Sequence, residues 1–357
     1  MDAQLYINIR VRGSRMIVDD WIAGKIGIPD GRKLTRAALE AWQLRKLLET
    51  IAYVCAKSSF YRDRLSTFFE SGDLSSLNCI ESLPFTTSDD LTSAGASMVC
   101  VSASEIGRIV TLPTTGTTGA PKRVWFTEAD QELMTDYIRH GLQVMTGPND
   151  VFLVLMPCER PGSVGDLVAV GVQRIGSRPL RVGVISPDGS RDEEILDLMR
   201  REGVTTGLAT AHTAARLAKK SDGDAIIKKN MRTILLSAQY VSDEEKTTIE
   251  KAWECKVYEH YGMTEMGLGG AMACEARAGY HPREADLLFE IIDPITGKVL
   301  PEGEYGEIVF TTLTRRAMPL IRYRTGDFSR WLPGACACGS VLKRLDKVGD
   351  RVDRKAY

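Results

Sequence analysis

Over residues 127–259, short apolar runs alternate with segments of helical pattern, and this alternation constrains the fold more than any other feature. Residues 151–156 are apolar throughout, as in a strand buried on both faces. Strand-length runs follow at 180–185, 204–209, 233–236 and 255–259. Between them lie helical segments. Thr127 with Asp130 opens one that runs to Met145, a second covers 167–175, and Ser190 with Glu193 opens a third that stops at Gly203. A fourth covers 212–220, and Ser242 with Glu245 opens a fifth that ends at Trp253. This order predicts an α/β fold with a layered, parallel sheet. Upstream, residues 35–58 form an amphipathic helical pattern, and Ser88 is placed to cap a short helix.

Composition narrows the class. With 357 residues, 43% hydrophobic and 26% charged, the chain can bury the core of a large α/β unit with a smaller satellite. Its 46 basic and 47 acidic residues leave a net charge of −1, which gives no support for nucleic acid or an anionic membrane as partner. There is no apolar run of membrane-spanning length and no charged-then-apolar leader, so the expectation is a soluble, cytoplasmic protein. Eight cysteines are scattered, with one tight pair at Cys336 and Cys338. In that compartment they read as metal ligands or free thiols rather than disulfides.

Three stretches carry chemistry. Thr114, Thr115, Gly116, Thr117, Thr118 and Gly119 put small and hydroxylated residues in a row, followed by Pro121 and Lys122. Such a loop lets backbone amides approach an anion and adds a positive charge. An ordinary surface loop could be spelled the same way, and the lysine spacing is not that of a P-loop. The second stretch, Tyr261, Gly262, Met263, Thr264 and Glu265, follows the run at 255–259, where open α/β sheets bind ligands. An aromatic face suits a purine, a hydroxyl a phosphate, and a carboxylate a Mg²⁺, although a plain strand-to-loop turn fits too. The third is Tyr323, Arg324, Thr325, Gly326 and Asp327, a carboxylate on a Thr-Gly turn that suits ribose hydroxyls or a simple hairpin.

Together these motifs, with SSFYRDRL at 58–65 and LPFTTSDDL at 83–91, resemble the phenylacetate–coenzyme A ligase branch of the adenylate-forming superfamily. The resemblance spans roughly residues 40–353 and implies the N-terminal core of such an enzyme. It implies ATP-dependent activation of an aryl or small acyl carboxylic acid as an acyl-adenylate, with coenzyme A as a further acceptor. The implied roles are the loop 114–119 and Lys122 on the phosphates, Tyr261 and Gly262 at the adenine, Thr264 on the α-phosphate and Glu265 on Mg²⁺. Ser237, Ala238 and Gln239 resemble the turn beside the adenine, Asp327 the ribose ligand, and Arg351 the arginine that reaches ribose or phosphate. Thr264, Glu265 and Lys122 are the catalytic candidates. His260 is read as lining the acyl pocket or packing beside the adenine. Glu159 and Arg160, in the segment where the acyl site falls, are read as an exposed ion pair.

Cys274, His281, Cys336 and Cys338 make a Cys₃His set of the kind a structural Zn²⁺ closes, as the branch also implies. A buried apolar thiol and a satisfied turn histidine are the alternative, and Cys255 and His260 are rival ligands. The expected division is an α/β nucleotide-binding core at 1–279 with a helical segment at 1–80, a strand-rich unit with the zinc site at 280–345, and the start of a hinge at 346–357. On this alignment the chain ends before the C-terminal domain of the family. The alternatives are therefore a nucleotide-binding protein without full ligase activity, dependence on a separate C-terminal-domain or carrier chain, or adenylation of a cofactor hydroxyl. A homodimer is left open.

Overall fold

The computed structural model of the chain describes residues 17–66, 75–112 and 121–349. Helix α1 (Ile17–Lys25) is tied down by Trp21 Nε1 donating to Asp136 at 2.7 Å and by an ion pair between Lys25 and Asp286. Helix α2 (Arg36–Lys57) is capped by Thr35 and buries Leu39, Leu47, Ile51 and Val54 along one stripe. Ser58 ends α2 and caps α3 (Ser59–Leu65), its Oγ accepting the Tyr61 amide at 3.2 Å. Helix α4 (Ser88–Ala94) is capped by Thr87 in a capping box with Asp90, not by Ser88. Thr87 holds the extended backbone that an N-cap needs, φ −117° and ψ 168°, so Ser88 becomes the first helical residue.

Strands β1 (Ile106–Leu112) and β2 (Lys122–Thr127) pair antiparallel, with Leu112 opposite Lys122. The Thr127–Asp130 capping box opens α5 (Glu128–Leu142), which ends three residues before Met145. Then β3 (Val151–Val154), α6 (Val164–Ile175), β4 (Arg178–Arg181), α7 (Asp192–Glu202), β5 (Thr206–Ala209), α8 (Ala211–Lys220), α9 (Ala225–Asn230), β6 (Thr233–Leu236), α10 (Asp243–Trp253) and β7 (Lys256–Tyr261) follow. Ser190 does not cap α7: its amide donates to Asp188 Oδ1 at 2.9 Å in a preceding turn, and the helix starts two residues later. Gly203 then stops α7 in the left-handed conformation, φ 63°. Helix α9, capped by Asp224, is too short to leave a periodic signature.

Strands β8 (Ala271–Ala273) and β9 (Tyr280–Pro282) complete a seven-stranded sheet in the order β4-β3-β5-β6-β7-β8-β9. Its first five strands are parallel and its last two antiparallel. Alternate residues divide the core. Leu153, Ile234 and Val257 pack with α7, α8 and α10, whereas Phe152, Val154, Leu235 and Tyr258 pack with α5 and α6 on the other face. A separate antiparallel sheet contains β10 (Leu287–Ile292), β11 (Gly306–Thr312) and β12 (Tyr323–Ser329) in that order.

Arg322, just before β12, joins this sheet to the N-terminal segment. Its guanidinium bonds both oxygens of Glu290 on β10, at 3.2 and 2.8 Å, and the carbonyls of Glu81 and Leu83 at 3.0 and 2.9 Å. The side chains are 2% and 5% exposed, so neither charge can turn to water. Glu290→Ala is expected to lower the unfolding free energy by about 3–5 kcal/mol, because it leaves a buried guanidinium without its counter-charge. Urea denaturation of the variant against wild type measures this, and a loss below about 1 kcal/mol would contradict the assignment.

Candidate active site

The site forms where β6 and β7 end. After β6 the chain turns through Ser237, Ala238 and Gln239, with Ala238 at φ 69°. After β7 it turns at Gly262, where an added Cβ would lie 1.7 Å from the Leu268 carbonyl oxygen, so no side chain fits. A single 3₁₀ turn, Thr264–Met266, then presents Glu265, and Gly267 closes it at φ 83°.

Glu265 is held from two sides. Its Oε1 accepts Lys122 Nζ at 2.8 Å and the Tyr323 hydroxyl at 3.3 Å. Behind it, Arg315 Nη1 donates to the Glu265 carbonyl at 2.5 Å, and Arg283 donates to the Met266 carbonyl. A Cβ on Gly267 would lie 3.0 Å from each guanidinium, so the absence of a side chain there lets both arginines reach the turn. Burial pulls both arginines below their ordinary pKa, Arg315 to about 10. Asp327, on β12, accepts the Tyr261 hydroxyl at 3.0 Å, and its amide donates to Thr325 Oγ1 at 3.0 Å. Two of the recognised motifs therefore touch directly.

Two cavities meet at this turn. The larger, about 690 Å³, is lined by Ala238, Gln239, Tyr261, Gly262, Asp327 and Lys347 among others. The smaller, about 350 Å³, has aliphatic walls including Ile138, Leu142, Met156, Val168, Leu235 and Met272. Lys122, Thr264, Glu265, Ser237 and His260 supply its polar lining. His260 Nδ1 lies 3.0 Å from Ser237 Oγ, and burial pushes the imidazole down to about 4, so the ring is neutral at physiological pH.

The structure thus gathers Lys122, Ser237, Ala238, Gln239, Tyr261, Gly262, Thr264, Glu265 and Asp327 around two adjoining cavities. Thr114, Thr115, Gly116, Thr117, Thr118, Gly119 and Arg351 lie outside the described residues. The ion pair expected between Glu159 and Arg160 is not formed: the Glu159 carboxylate accepts the Cys158 amide at 3.1 Å, and Arg160 makes no salt bridge among the described residues. Arg283, Arg315 and Lys347 belong to no motif, and only tertiary structure brings them to the site. Lys347 lines the larger cavity while bonded to Asp243 at 2.8 Å.

A second cluster lies at β8, β9 and the segment after β12. The donor atoms of Cys274, His281, Cys336 and Cys338 all fall within 4.8 Å of one another, and all four residues are buried. Cys274 Sγ lies 3.6 Å from Cys336 Sγ, and Cys338 Sγ 3.4 Å from His281 Nε2. His281 Nδ1 lies 3.0 Å from the Lys343 carbonyl, which can only accept, so Nδ1 carries a proton and Nε2 is the nitrogen that faces the thiols. Neither Cys255 nor His260 belongs to the cluster.

Comparison with known proteins agrees with this geometry. Residues 79–313 match the model of the AMP-binding enzyme family. A phenylacetate–coenzyme A ligase of Pseudomonas putida is 30% identical over 88% of this chain and 71% of its own length. One of Thermus thermophilus is 29% identical over 91% and 73%. Among solved structures, 2-hydroxyisobutyryl-CoA ligase in an open conformation superposes with a TM-score of 0.79 at 22% identity, over 90% of this chain and 71% of that one, which shows the fold.

The chain belongs to the AMP-binding enzyme family, in its phenylacetate–coenzyme A ligase-like branch. It is an ATP-dependent, adenylate-forming enzyme of the acid–CoA ligase type. No helix among the described residues is long and apolar enough to cross a membrane.

The neutral His260 makes stability depend on pH. Its folded pKa of about 4 lies below the ordinary 6.5, so between these values the unfolded chain binds the extra proton. Its contribution is therefore fully present above about pH 6.5 and is lost as the pH falls toward 4, by up to roughly 3 kcal/mol. Chemical denaturation across this range should show a smaller loss on acidification in His260→Leu than in wild type. Equal losses would contradict the assignment.

Proposed function

We propose that the smaller cavity holds a carboxylic acid, the larger holds the adenosine of ATP, and Lys122, Thr264 and Glu265 act where the two meet. The observation that carries this reading is the position of the Lys122–Glu265 pair: both groups line the aliphatic cavity, and Glu265 stands two residues after Met263, which belongs to the wall shared with the nucleotide cavity. A carboxylate oxygen attacks the α-phosphorus of ATP and forms the acyl–phosphate bond. The bond from the α-phosphorus to the bridging oxygen breaks, and pyrophosphate leaves with the electron pair. The barrier is electrostatic, because two anions must meet. Lys122 offsets charge on the phosphates, the Thr264 hydroxyl donates to an α-phosphate oxygen, and Tyr261 and Asp327 hold the nucleoside. The resulting acyl-adenylate is the species a thiol such as that of coenzyme A would attack, releasing AMP.

Glu265 fits a Mg²⁺ ligand, since it already carries a cation at 2.8 Å on one oxygen while its other oxygen makes no hydrogen bond among the described residues. When bound there, Mg²⁺ would neutralise phosphate oxygens. The Cys₃His cluster fits Zn²⁺. Tetrahedral ligation at about 2.3 Å places sulfurs roughly 3.8 Å apart, close to the 3.6 Å found between Cys274 and Cys336. None of its four ligands lines either cavity, so its role is structural: it ties β8 and β9 to the segment after β12.

Acid-dependent pyrophosphate release measures the reaction. Glu265→Gln is expected to lower it by about 10²–10³-fold with the thermal midpoint little changed, and wild-type rates in this variant would exclude the assigned role. Elemental analysis should find about one zinc per chain, lost on Cys336→Ser together with several degrees of thermal midpoint. A metal-free wild-type protein of unchanged stability would exclude the zinc site.

A further inference from the structure

His260 is not used by the chemistry above, yet it lines the acid cavity and belongs to the wall shared with the nucleotide cavity. Of the residues lining that cavity, Lys122, Thr264 and Glu265 serve the reacting carboxylate and phosphate. Among the described residues the rest are aliphatic, methionine, glycine or alanine, apart from Ser237 and His260, and none is Phe, Tyr or Trp. The imidazole is fixed by its Nδ1, 3.0 Å from Ser237 Oγ. Its other nitrogen, Nε2, makes no hydrogen bond among the described residues. It lies beside Gly269, where an added Cβ would sit 3.5 Å away, and Gly269 lines the acid cavity but not the nucleotide cavity. Nε2 therefore presents an unmatched hydrogen-bonding group to the acid.

We propose that His260, positioned by Ser237, is a specificity-determining residue that receives a hydroxyl group on the hydrocarbon part of the acid. The inference rests on the reading that the acid occupies this cavity. A buried polar nitrogen left without a partner costs free energy, so a purely hydrocarbon acid that displaces water from it binds at a penalty. The group it receives is uncharged, because the ring itself is neutral and offers no counter-charge. A hydroxyl suits either tautomer. When Ser237 donates to Nδ1, Nε2–H donates to the ligand oxygen. When Nδ1–H donates to Ser237, Nε2 accepts the ligand proton. The aliphatic walls require the remainder of the acid to be apolar. The substrate class is thus a compact monocarboxylic acid with a hydrocarbon skeleton and one hydroxyl.

The test compares acids of one carbon skeleton, with and without a hydroxyl, by acid-dependent pyrophosphate release on the full chain. For wild type, kcat/KM for the hydroxylated member should exceed that of its parent by about tenfold or more on at least one skeleton. In His260→Leu that ratio should fall to about one, and in His260→Gln, which keeps a hydrogen-bonding side chain, much of it should return. Equal or inverse preference in wild type across the panel would overturn the proposal even if neither variant folded. So would a ratio that survives in a folded His260→Leu. If no acid supported pyrophosphate release, the underlying assignment of the cavity would fail, and the proposal with it.

Discussion

The turn at Thr264–Met266 depends on charge placed on both sides of it. Two buried guanidiniums, Arg283 and Arg315, take the carbonyls of Met266 and Glu265, while Lys122 takes the Glu265 carboxylate. Three cations around one carboxylate would repel one another in an apolar interior, and acidic neighbours moderate this. Burial is the largest influence on Arg315, and the attraction of Asp130 is the strongest that opposes it. Asp130 also completes the capping box of α5 by accepting the Thr127 amide, and it accepts the amides of Arg316 and Ala317 at 2.8 and 3.0 Å. One aspartate therefore fixes a helix start, a loop from the three-stranded sheet and the electrostatic setting of the turn.

Much of the frame was legible from residue pattern alone. The apolar runs at 151–156 and 233–236 and the Ser242–Glu245 box became β3, β6 and α10, because each is decided within a few residues. The errors are local as well. Thr87 beside Ser88 offers a competing side chain, and backbone geometry selects the cap, whereas Ser190 is held in a turn with Asp188 and α7 has Arg191 at its N-cap position without a side-chain cap. The site motifs were legible because their residues are contiguous. Arg283 and Arg315 were not, since the carbonyls their guanidiniums bond lie 17 and 50 positions away and no sequence pattern displays a backbone acceptor. The Cys₃His set lies between these cases: its residue types were readable, but only the fold brings Cys274 within 3.6 Å of Cys336 across 62 positions.

The two sheets divide the work. The parallel sheet supplies the turns after β6 and β7, and the three-stranded sheet supplies Asp327 and Tyr323 from β12. Arg322 lies immediately before those residues and is locked to Glu290 and to the carbonyls of the N-terminal segment. Its left-handed backbone, φ 46°, is tolerated because these bonds over-determine it. The anchor thereby sets where β12 begins and, with it, how far Asp327 stands from Tyr261.

Ala238, His260, Gly262 and Met263 line both cavities, so the partition between them is only one layer of residues thick. A wall that thin cannot yield on one face without moving the other, since packed side chains transmit displacement rather than absorb it. Occupancy of the two chambers is therefore thermodynamically linked. Whatever free energy one ligand gains or loses from the other must be returned in equal measure in the opposite direction, whichever arrives first. On the proposed occupancy, selectivity toward the acid would in this way be a property of the nucleotide-loaded protein rather than of the apolar chamber by itself.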